Sequence, residues 1–237
     1  MRAYILRIDR PVSREYAECC ARSCDEVGLP WEYFDGFDAD DYKNDKGRLW
    51  NIVKKELQAD KLSGTGGASG GACATAGHFM IWKRIADSDE PGIILEHDAL
   101  MLHYPKIEIP DNQIVVLGYK VVDPENYHHH EAGAPKTLQT RAKHGGAHAY
   151  AITPKTAESL INTLRTTNKR VSFIDNQYFF GSHMRGGVSM SITDPVCAIG
   201  WLRKSTIWNK AAVDNYGPIL ESFRKNYHSK EDMGVKK

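Results

Sequence analysis

The 237-residue sequence contains no apolar run that approaches the roughly 20 residues needed for a membrane-spanning helix. The apolar stretch near its N-terminus is short and is interrupted by Arg7 and Asp9, so it does not have the form of a secretory signal peptide. No internal repeat and no low-complexity segment is present. These absences predict a cytoplasmic, globular protein.

The sequence also has little cysteine and almost no net charge. Its five cysteines are an odd number without a C-x-x-C pair, which excludes a disulfide framework and a typical zinc motif and favours buried, reduced thiols. The 31 basic and 30 acidic side chains leave a formal charge of +1, so no strong field attracts nucleic acid or an anionic membrane. At this length we expect one domain.

The first 35 residues have the pattern of a strand, a helix and a second strand. Ala3 to Ile8 is a short apolar run that fits a buried strand. Ser13 is a candidate cap for the helix that follows, and Gly28 is a stop signal for it. Trp31 to Phe34 fits the second strand, so the segment predicts a βαβ unit with parallel strands.

A glycine-rich segment at 63–71 precedes the next predicted helix, from about Ala74 to Ile85. It is not a P-loop, because no Gly-Lys-Ser/Thr follows, and it is not a dinucleotide fingerprint, because no apolar strand leads into it. Two interpretations stay open: a mobile surface loop, or a lid or backbone cradle near a phosphate.

The rest of the chain continues the alternation of strands and helices. Thr153-Pro154 marks a helix start. Short strands are predicted at Gly92 to Leu95, Ile114 to Leu117, Ala147 to Ile152 and Val188 to Ile192. We therefore predict an α/β fold with a mostly parallel central sheet flanked by helices, in one domain at 1–210 followed by a polar tail at 211–237.

Glu96-His97-Asp98, directly after the third predicted strand, is the sharpest chemical feature. Ligands of open α/β sheets bind at the carboxyl ends of the strands, and residues two apart on a strand point the same way. Glu96 and Asp98 would therefore project together, with His97 pointing away. Two carboxylates suit Mn²⁺ or Mg²⁺ shared with a nucleotide diphosphate. The alternative is a solvated acidic turn.

Several motifs, in this order and spacing, resemble glycosyltransferase family 25, the lipopolysaccharide-type glycosyltransferases that also include collagen galactosyltransferases. The resemblance spans roughly residues 3–210. It departs from the family pattern at Arg7, where Asn is usual, at Gly77, where Ser is usual, and at His97, where the middle Asp of the acidic motif is usual. The matching residues are Ile8-Asp9-Arg10 with Arg14, then Gly71, Cys73, His78 and Trp82, then Leu95 to Ala99, Gly146 to Ala157, and Phe173-Ile174-Asp175.

The resemblance implies a GT-A type, Rossmann-like fold and transfer of a hexose, galactose or glucose, from a UDP-sugar to an acceptor hydroxyl with inversion. Glu96 and Asp98 would hold the Mn²⁺ or Mg²⁺ ion with the donor diphosphate. Asp175 is the candidate base, although the residue alone could equally cap a helix. The remaining donor-side candidates are Asp9, Arg10, Arg14, Gly71, His78 and His97.

Alternatives remain for several of these assignments. Arg10 and Arg14 reach a phosphate or form a solvated helix start, and His78 is a core histidine or part of the donor pocket. His97 in place of Asp favours a degenerate nucleotide-sugar binding protein, and the acidic motif also suits another metal-dependent nucleotide enzyme, such as a nucleotidyltransferase. The expected acceptor is a glycan, a lipid-linked sugar or a protein. A membrane-bound acceptor would place the protein at the inner membrane surface, and nothing in the sequence predicts its oligomeric state.

Overall fold

A computed structural model describes residues 1–38, 51, 55–56, 68–121, 147–167, 174, 186–193 and 197–201. The first part of the glycine-rich segment, the candidate base Asp175 and the polar tail lie outside the described residues. The secondary-structure elements, in chain order, are β1 (Arg2–Arg7), α1 (Pro11–Val27), β2 (Trp31–Asp35), α2 (Ala68–Ala86), β3 (Gly92–Glu96), β4 (Ala99–Met101), β5 (Gln113–Val116), β6 (Gly118–Val121), β7 (Ala149–Ile152), α3 (Pro154–Thr166), β8 (Ser189–Ile192) and β9 (Ala198–Trp201).

The predicted βαβ unit is confirmed. β1 pairs in parallel with β2, from Ala3 opposite Trp31 to Arg7 opposite Asp35, with α1 as the connection. Gly28 ends α1 in the left-handed conformation (φ 71°), and its N–H donates to carbonyls of the last turn. A glycine adopts this conformation at little cost, which explains why the helix stops there.

Ser13 does not cap α1, contrary to the sequence expectation. The helix begins two residues earlier, with Arg10 as the N-cap residue and Pro11 at the first helical position. Ser13 is instead fully buried, and its hydroxyl accepts a hydrogen bond from the Ile8 N–H at 3.0 Å. The serine therefore ties the end of β1 to the start of the helix.

The helix predicted from about Ala74 begins at Ala68. The last glycines of the glycine-rich segment are thus helical, and the interpretation of the whole of 63–71 as a loop is wrong for 68–71. The low helix propensity of Gly is overridden here by burial, since Ala72, Cys73 and Ala76 all pack in the core. At Gly77 a Cβ would lie 2.8 Å from Leu6 Cδ1, so the glycine lets α2 approach β1 closely.

Within the described residues, the central sheet has six strands in the order β2-β1-β3-β7-β5-β8. β7 pairs antiparallel with both β3 and β5, while the other three pairings are parallel. Five strands therefore run in one direction, and the predicted mostly parallel sheet is confirmed. β4, β9 and β6 form a second, three-stranded sheet in that order.

Helices cover both faces of the central sheet. Alternation along β3 separates them: Ile94 packs in a cluster with residues of α2 and α3, whereas Ile93 and Leu95 pack in a cluster with residues of α1. The side chains of Trp82 and Tyr150 are fully buried in the first cluster. Full burial of one large apolar side chain contributes about 1.5–3 kcal/mol.

All five cysteines are buried, as predicted, and none forms a disulfide. Burial, helped by the neighbouring Cys24 and by the charge of Asp98, raises the pKa of the Cys20 thiol. Burial likewise raises the pKa of Cys197 to about 11. These thiols are therefore protonated at neutral pH and are weak nucleophiles.

No helix in the part of the chain that the structure describes combines the length and the apolarity needed to cross a bilayer.

Candidate functional site

The candidate site lies at the carboxyl edge of two neighbouring parallel strands. Glu96 is the last residue of β3 and pairs with Leu6 near the end of β1. Asp9 and Arg10 follow β1 directly. Because parallel strands end at the same edge, acidic and basic side chains from both connections meet there.

Glu96 contacts a buried histidine of α2. His78 Nε2 lies 3.3 Å from Glu96 Oε1, and His78 Nδ1 lies 2.8 Å from the Tyr150 hydroxyl. Trp82 Nε1 donates to the same hydroxyl at 2.8 Å. His78, Tyr150 and Trp82 are fully buried, whereas the Glu96 side chain is 20% exposed. The histidine is thus a core residue that also touches the acidic residue.

The backbone of Glu96 is held by the antiparallel neighbour of β3. Its N–H donates to the carbonyl of His148 at 2.8 Å, just before β7 begins. The pairing continues from Leu95 opposite Ala149 to Gly92 opposite Ile152. A strand on each side therefore fixes the position of Glu96 at the sheet edge.

The chain leaves the strand conformation immediately after Glu96. His97 and Asp98 lie in a turn, so the alternation on which their directions were predicted ends before them. The His97 ring stacks on Tyr16 of α1, with ring centroids 5.9 Å apart, and the charge of Asp98 acts on Cys20 of the same helix. His97 and Asp98 are therefore both near α1, whereas Glu96 contacts His78 of α2. Joint metal binding by Glu96 and Asp98 stays a prediction.

The charged residues after β1 form ion pairs near the start of α1. Arg14 pairs with Asp9, and Arg10 Nη2 lies 3.4 Å from Asp38 Oδ2. Their side chains are 45% exposed for Arg10, 56% for Arg14 and 85% for Asp9. Both arginine side chains are therefore about half exposed, and each is paired with a carboxylate; their donor-side role stays a prediction.

Gly71 is buried, and so is Ile174, the residue directly before Asp175. Gly71 is part of α2, and its carbonyl accepts a hydrogen bond from Thr75 Oγ1 at 3.0 Å. Ile174 is 3% exposed and belongs to the core cluster of α2 and α3. The residue directly before the candidate base is thus anchored in the core.

The described acidic side chains at this edge are too few to hold a metal ion by themselves. Within the described ranges, no three His, Cys, Asp or Glu side chains group closely enough to form a protein cage for a metal. Mg²⁺ in nucleotide sites is typically held by one or two carboxylates together with phosphate oxygens and water. Glu96 and Asp98 have the chemistry for that arrangement.

Trp82 and Tyr150 lie in motifs that match the family pattern, but the sequence analysis assigned neither of them a role at the site. A signal for them exists, since His78 and Trp82 are four residues apart and share one face of a helix. A buried Tyr hydroxyl and a buried Trp N–H usually need a hydrogen-bond partner. The Tyr150 hydroxyl reaches Trp82 and His78 because β7 pairs with β3, and that pairing is not visible in the spacing of the sequence.

The sequence matches one known family. The model of glycosyltransferase family 25, described as LPS biosynthesis proteins, matches residues 4–176, which is more than half of the chain. No curated protein sequence matches the chain.

Several solved structures are similar in their chain trace. The galactosyltransferase LgtC, in complex with donor and acceptor sugar analogs, is 10% identical with a TM-score of 0.46, covering 97% of both chains. The glycosyltransferase GlyE of Streptococcus pneumoniae TIGR4 is 10% identical with a TM-score of 0.44, covering 96% of this chain and 65% of its own. Mouse xyloside xylosyltransferase 1 is 9% identical with a TM-score of 0.42, covering 94% and 93%.

Proposed function

The chain belongs to glycosyltransferase family 25 and is a glycosyltransferase, and from that premise we propose that it transfers a hexose from a UDP-sugar to an acceptor hydroxyl in a metal-dependent reaction. Galactose and glucose are the candidate sugars. The donor diphosphate would bind at the carboxyl edge of β1 and β3, with Glu96 and Asp98 facing the metal ion.

One observation carries this proposal: Glu96 ends a central strand at the carboxyl edge of the sheet and contacts the buried His78 there. A carboxylate that only caps a solvated turn has no need of a fully buried partner. Accessible Arg10 and Arg14 supply positive charge next to the same edge, which suits a diphosphate.

The reaction divides among the residues as follows. Glu96 and Asp98 would hold the metal ion, and Arg10 and Arg14 would bind phosphate oxygens. A bound Mn²⁺ or Mg²⁺ ion neutralises the charge that develops on the leaving diphosphate. Asp175 takes the proton of the acceptor hydroxyl, whose oxygen forms a bond to the anomeric carbon while the bond to UDP breaks. Attack opposite the leaving group inverts the anomeric configuration.

The acceptor is proposed to be a lipid-linked oligosaccharide, in keeping with the family's description as LPS biosynthesis proteins. A nucleotide-sugar donor and a lipid-linked acceptor would together place the reaction at the cytoplasmic face of a membrane.

The experiment measures ligand-induced stabilisation and turnover in parallel. UDP-galactose and UDP-glucose, each with Mn²⁺ or with EDTA, are added to wild type, Glu96→Gln and Glu90→Gln. Glu90 is a matched control because it precedes β3 at the opposite edge and pairs with the N-terminus. A ligand at 100 times its Kd stabilises the native state by about 2.7 kcal/mol, which raises Tm by about 5–10 °C in a chain of this size.

We expect the shift with Mn²⁺ in wild type and Glu90→Gln, its loss with EDTA and in Glu96→Gln, and slow release of UDP by the two active forms. A shift that survives both EDTA and Glu96→Gln contradicts the proposed site. A metal-dependent shift without any release of UDP, with water or with sugar acceptors, contradicts the proposed reaction and leaves a binding protein.

A further inference from the structure

Trp82, Tyr150, His78 and Glu96 form a continuous chain of hydrogen bonds that begins in the core and ends at the acidic edge. Its first three members are fully buried, and only the last is reached by solvent. The chain joins two helical residues one turn apart, a residue of the antiparallel strand β7 and the end of β3. No part of the proposed reaction yet uses Trp82 or Tyr150.

The direction of each hydrogen bond follows from the chemistry of the groups. The Trp82 indole can only donate, so the Tyr150 oxygen accepts there. The Tyr150 hydroxyl then donates its own proton to His78 Nδ1. A neutral imidazole that accepts at Nδ1 carries its proton on Nε2, and that N–H points at Glu96 Oε1.

The opposite tautomer is unfavourable for an electrostatic reason. With the proton on Nδ1, the lone pair of His78 Nε2 would face a carboxylate oxygen at 3.3 Å. Two electron-rich atoms at that distance repel in a buried, low-dielectric environment. Glu96 therefore favours the tautomer with the proton on Nε2, and the Tyr150 hydroxyl is the donor that this tautomer needs at Nδ1.

We propose that His78, in the tautomer that Glu96 and the Tyr150 hydroxyl favour together, is a positioning residue that holds the Glu96 carboxylate in the orientation required for the metal and the donor diphosphate. The proposal rests on the proposed function of Glu96. A carboxylate on a freely rotating side chain loses conformational entropy when it binds a ligand. A carboxylate that already accepts a hydrogen bond from a fixed N–H has lost that entropy before the ligand binds. Residues that orient a metal ligand typically contribute about 10–100-fold to metal affinity or activity.

The first test reads the tautomer without any ligand. Long-range ¹H–¹⁵N spectra of the imidazole rings distinguish a nitrogen that carries a proton from one that does not, and the signals lost in His78→Gln assign the ring. We expect His78 in wild type with its proton on Nε2 alone. A proton on Nδ1, alone or together with one on Nε2, overturns the proposal, because Tyr150 could not then donate to Nδ1.

The second test measures Mn²⁺ binding in the presence of UDP by the electron paramagnetic resonance signal of unbound Mn²⁺. We expect Tyr150→Phe and His78→Leu to weaken Mn²⁺ affinity by about 10–100-fold, and His78→Gln, whose amide keeps a donor for Glu96, to restore it to within about 3-fold of wild type. A purely structural role predicts no such rescue, because both His78 variants lose the imidazole.

Thr156→Val is the matched control. It also removes a buried hydroxyl, which lies 3.0 Å from the Thr153 hydroxyl, at the opposite end of β7 from Tyr150. Equal Mn²⁺ affinity in Tyr150→Phe and Thr156→Val overturns the positioning role while leaving the proposed function intact. Wild type that binds no Mn²⁺ with UDP refutes the proposed function itself, and the role assigned to His78 with it.

Discussion

Removal of the Tyr150 hydroxyl is the sharpest test of the buried network as a source of stability. Tyr150→Phe keeps the ring in place, and with it the packing of a fully buried side chain. It deletes the partner of the Trp82 N–H and of His78 Nδ1, each at 2.8 Å. Leaving a buried polar group without its partner costs about 1–3 kcal/mol. For two such groups we expect a loss of at least about 2 kcal/mol.

A neighbouring tyrosine provides the control. Tyr4 and Tyr150 lie on either side of Ile94 in the sheet, and both belong to the same core cluster. Among the hydrogen bonds of the described residues, none involves the Tyr4 hydroxyl. Tyr4→Phe should therefore change the free energy of unfolding by less than about 0.5 kcal/mol.

Urea denaturation of wild type and the two variants measures the difference. With an m-value of about 2–3 kcal/mol per M, the expected loss lowers the midpoint of Tyr150→Phe by about 1 M and leaves that of Tyr4→Phe nearly unchanged. Equal midpoints for the two variants, with equal m-values, would refute the reasoning, because the hydrogen bonds of the Tyr150 hydroxyl would then add nothing to the free energy of unfolding.

Three further outcomes follow from the described contacts. Gly118→Ala places a Cβ in collision with the Ala198 carbonyl oxygen, so thermal denaturation should show a loss of about 2 kcal/mol, or about 4–8 °C in Tm. Burial raises the pKa of Cys197 from 9.0 to about 11. The buried thiol therefore contributes its full stabilisation below pH 9 and loses it as the pH rises towards 11. In urea denaturation across that pH range, Cys197→Ala should lose less stability than wild type. The pKa of Glu56 is lowered because the ion pair with Lys83 outweighs burial, so acid below about pH 4.5 should destabilise wild type more than Glu56→Gln.

Much of the fold follows from local patterns. The strand and helix of the first 30 residues, the Gly28 stop and the Thr153 cap, whose hydroxyl accepts from the Thr156 N–H at 3.2 Å, are all set within a few residues of chain. The sequence predictions were wrong where burial in the core, and not the local sequence, determines the conformation of a residue. Ser13 has the chemistry of a helix cap but is used to join a strand to a helix, and Gly71 is helical because its neighbours are buried.

The sequence predicts the acidic residue of the site but not the residues that contact it. Glu96 stands out because an apolar strand stops at a carboxylate, and that signal is local. The contact of Glu96 with His78 spans 18 residues, and that of His78 with Tyr150 spans 72. Neither pairing is encoded by spacing, because both depend on how α2 and β7 pack on β3.

The antiparallel direction of β7 is what turns these separate residues into one site. If β7 ran parallel to β3, its first residues would lie beside the amino end of β3, far from Glu96. Because it runs in the opposite direction, His148 meets the Glu96 N–H at the carboxyl edge, and Tyr150 lies opposite Ile94, two residues before the acidic end. The same face of the sheet carries α2, so the Tyr150 hydroxyl reaches both Trp82 and His78. One reversed strand in a mostly parallel sheet thus fixes the backbone of Glu96 and provides the hydroxyl that orients its buried partner.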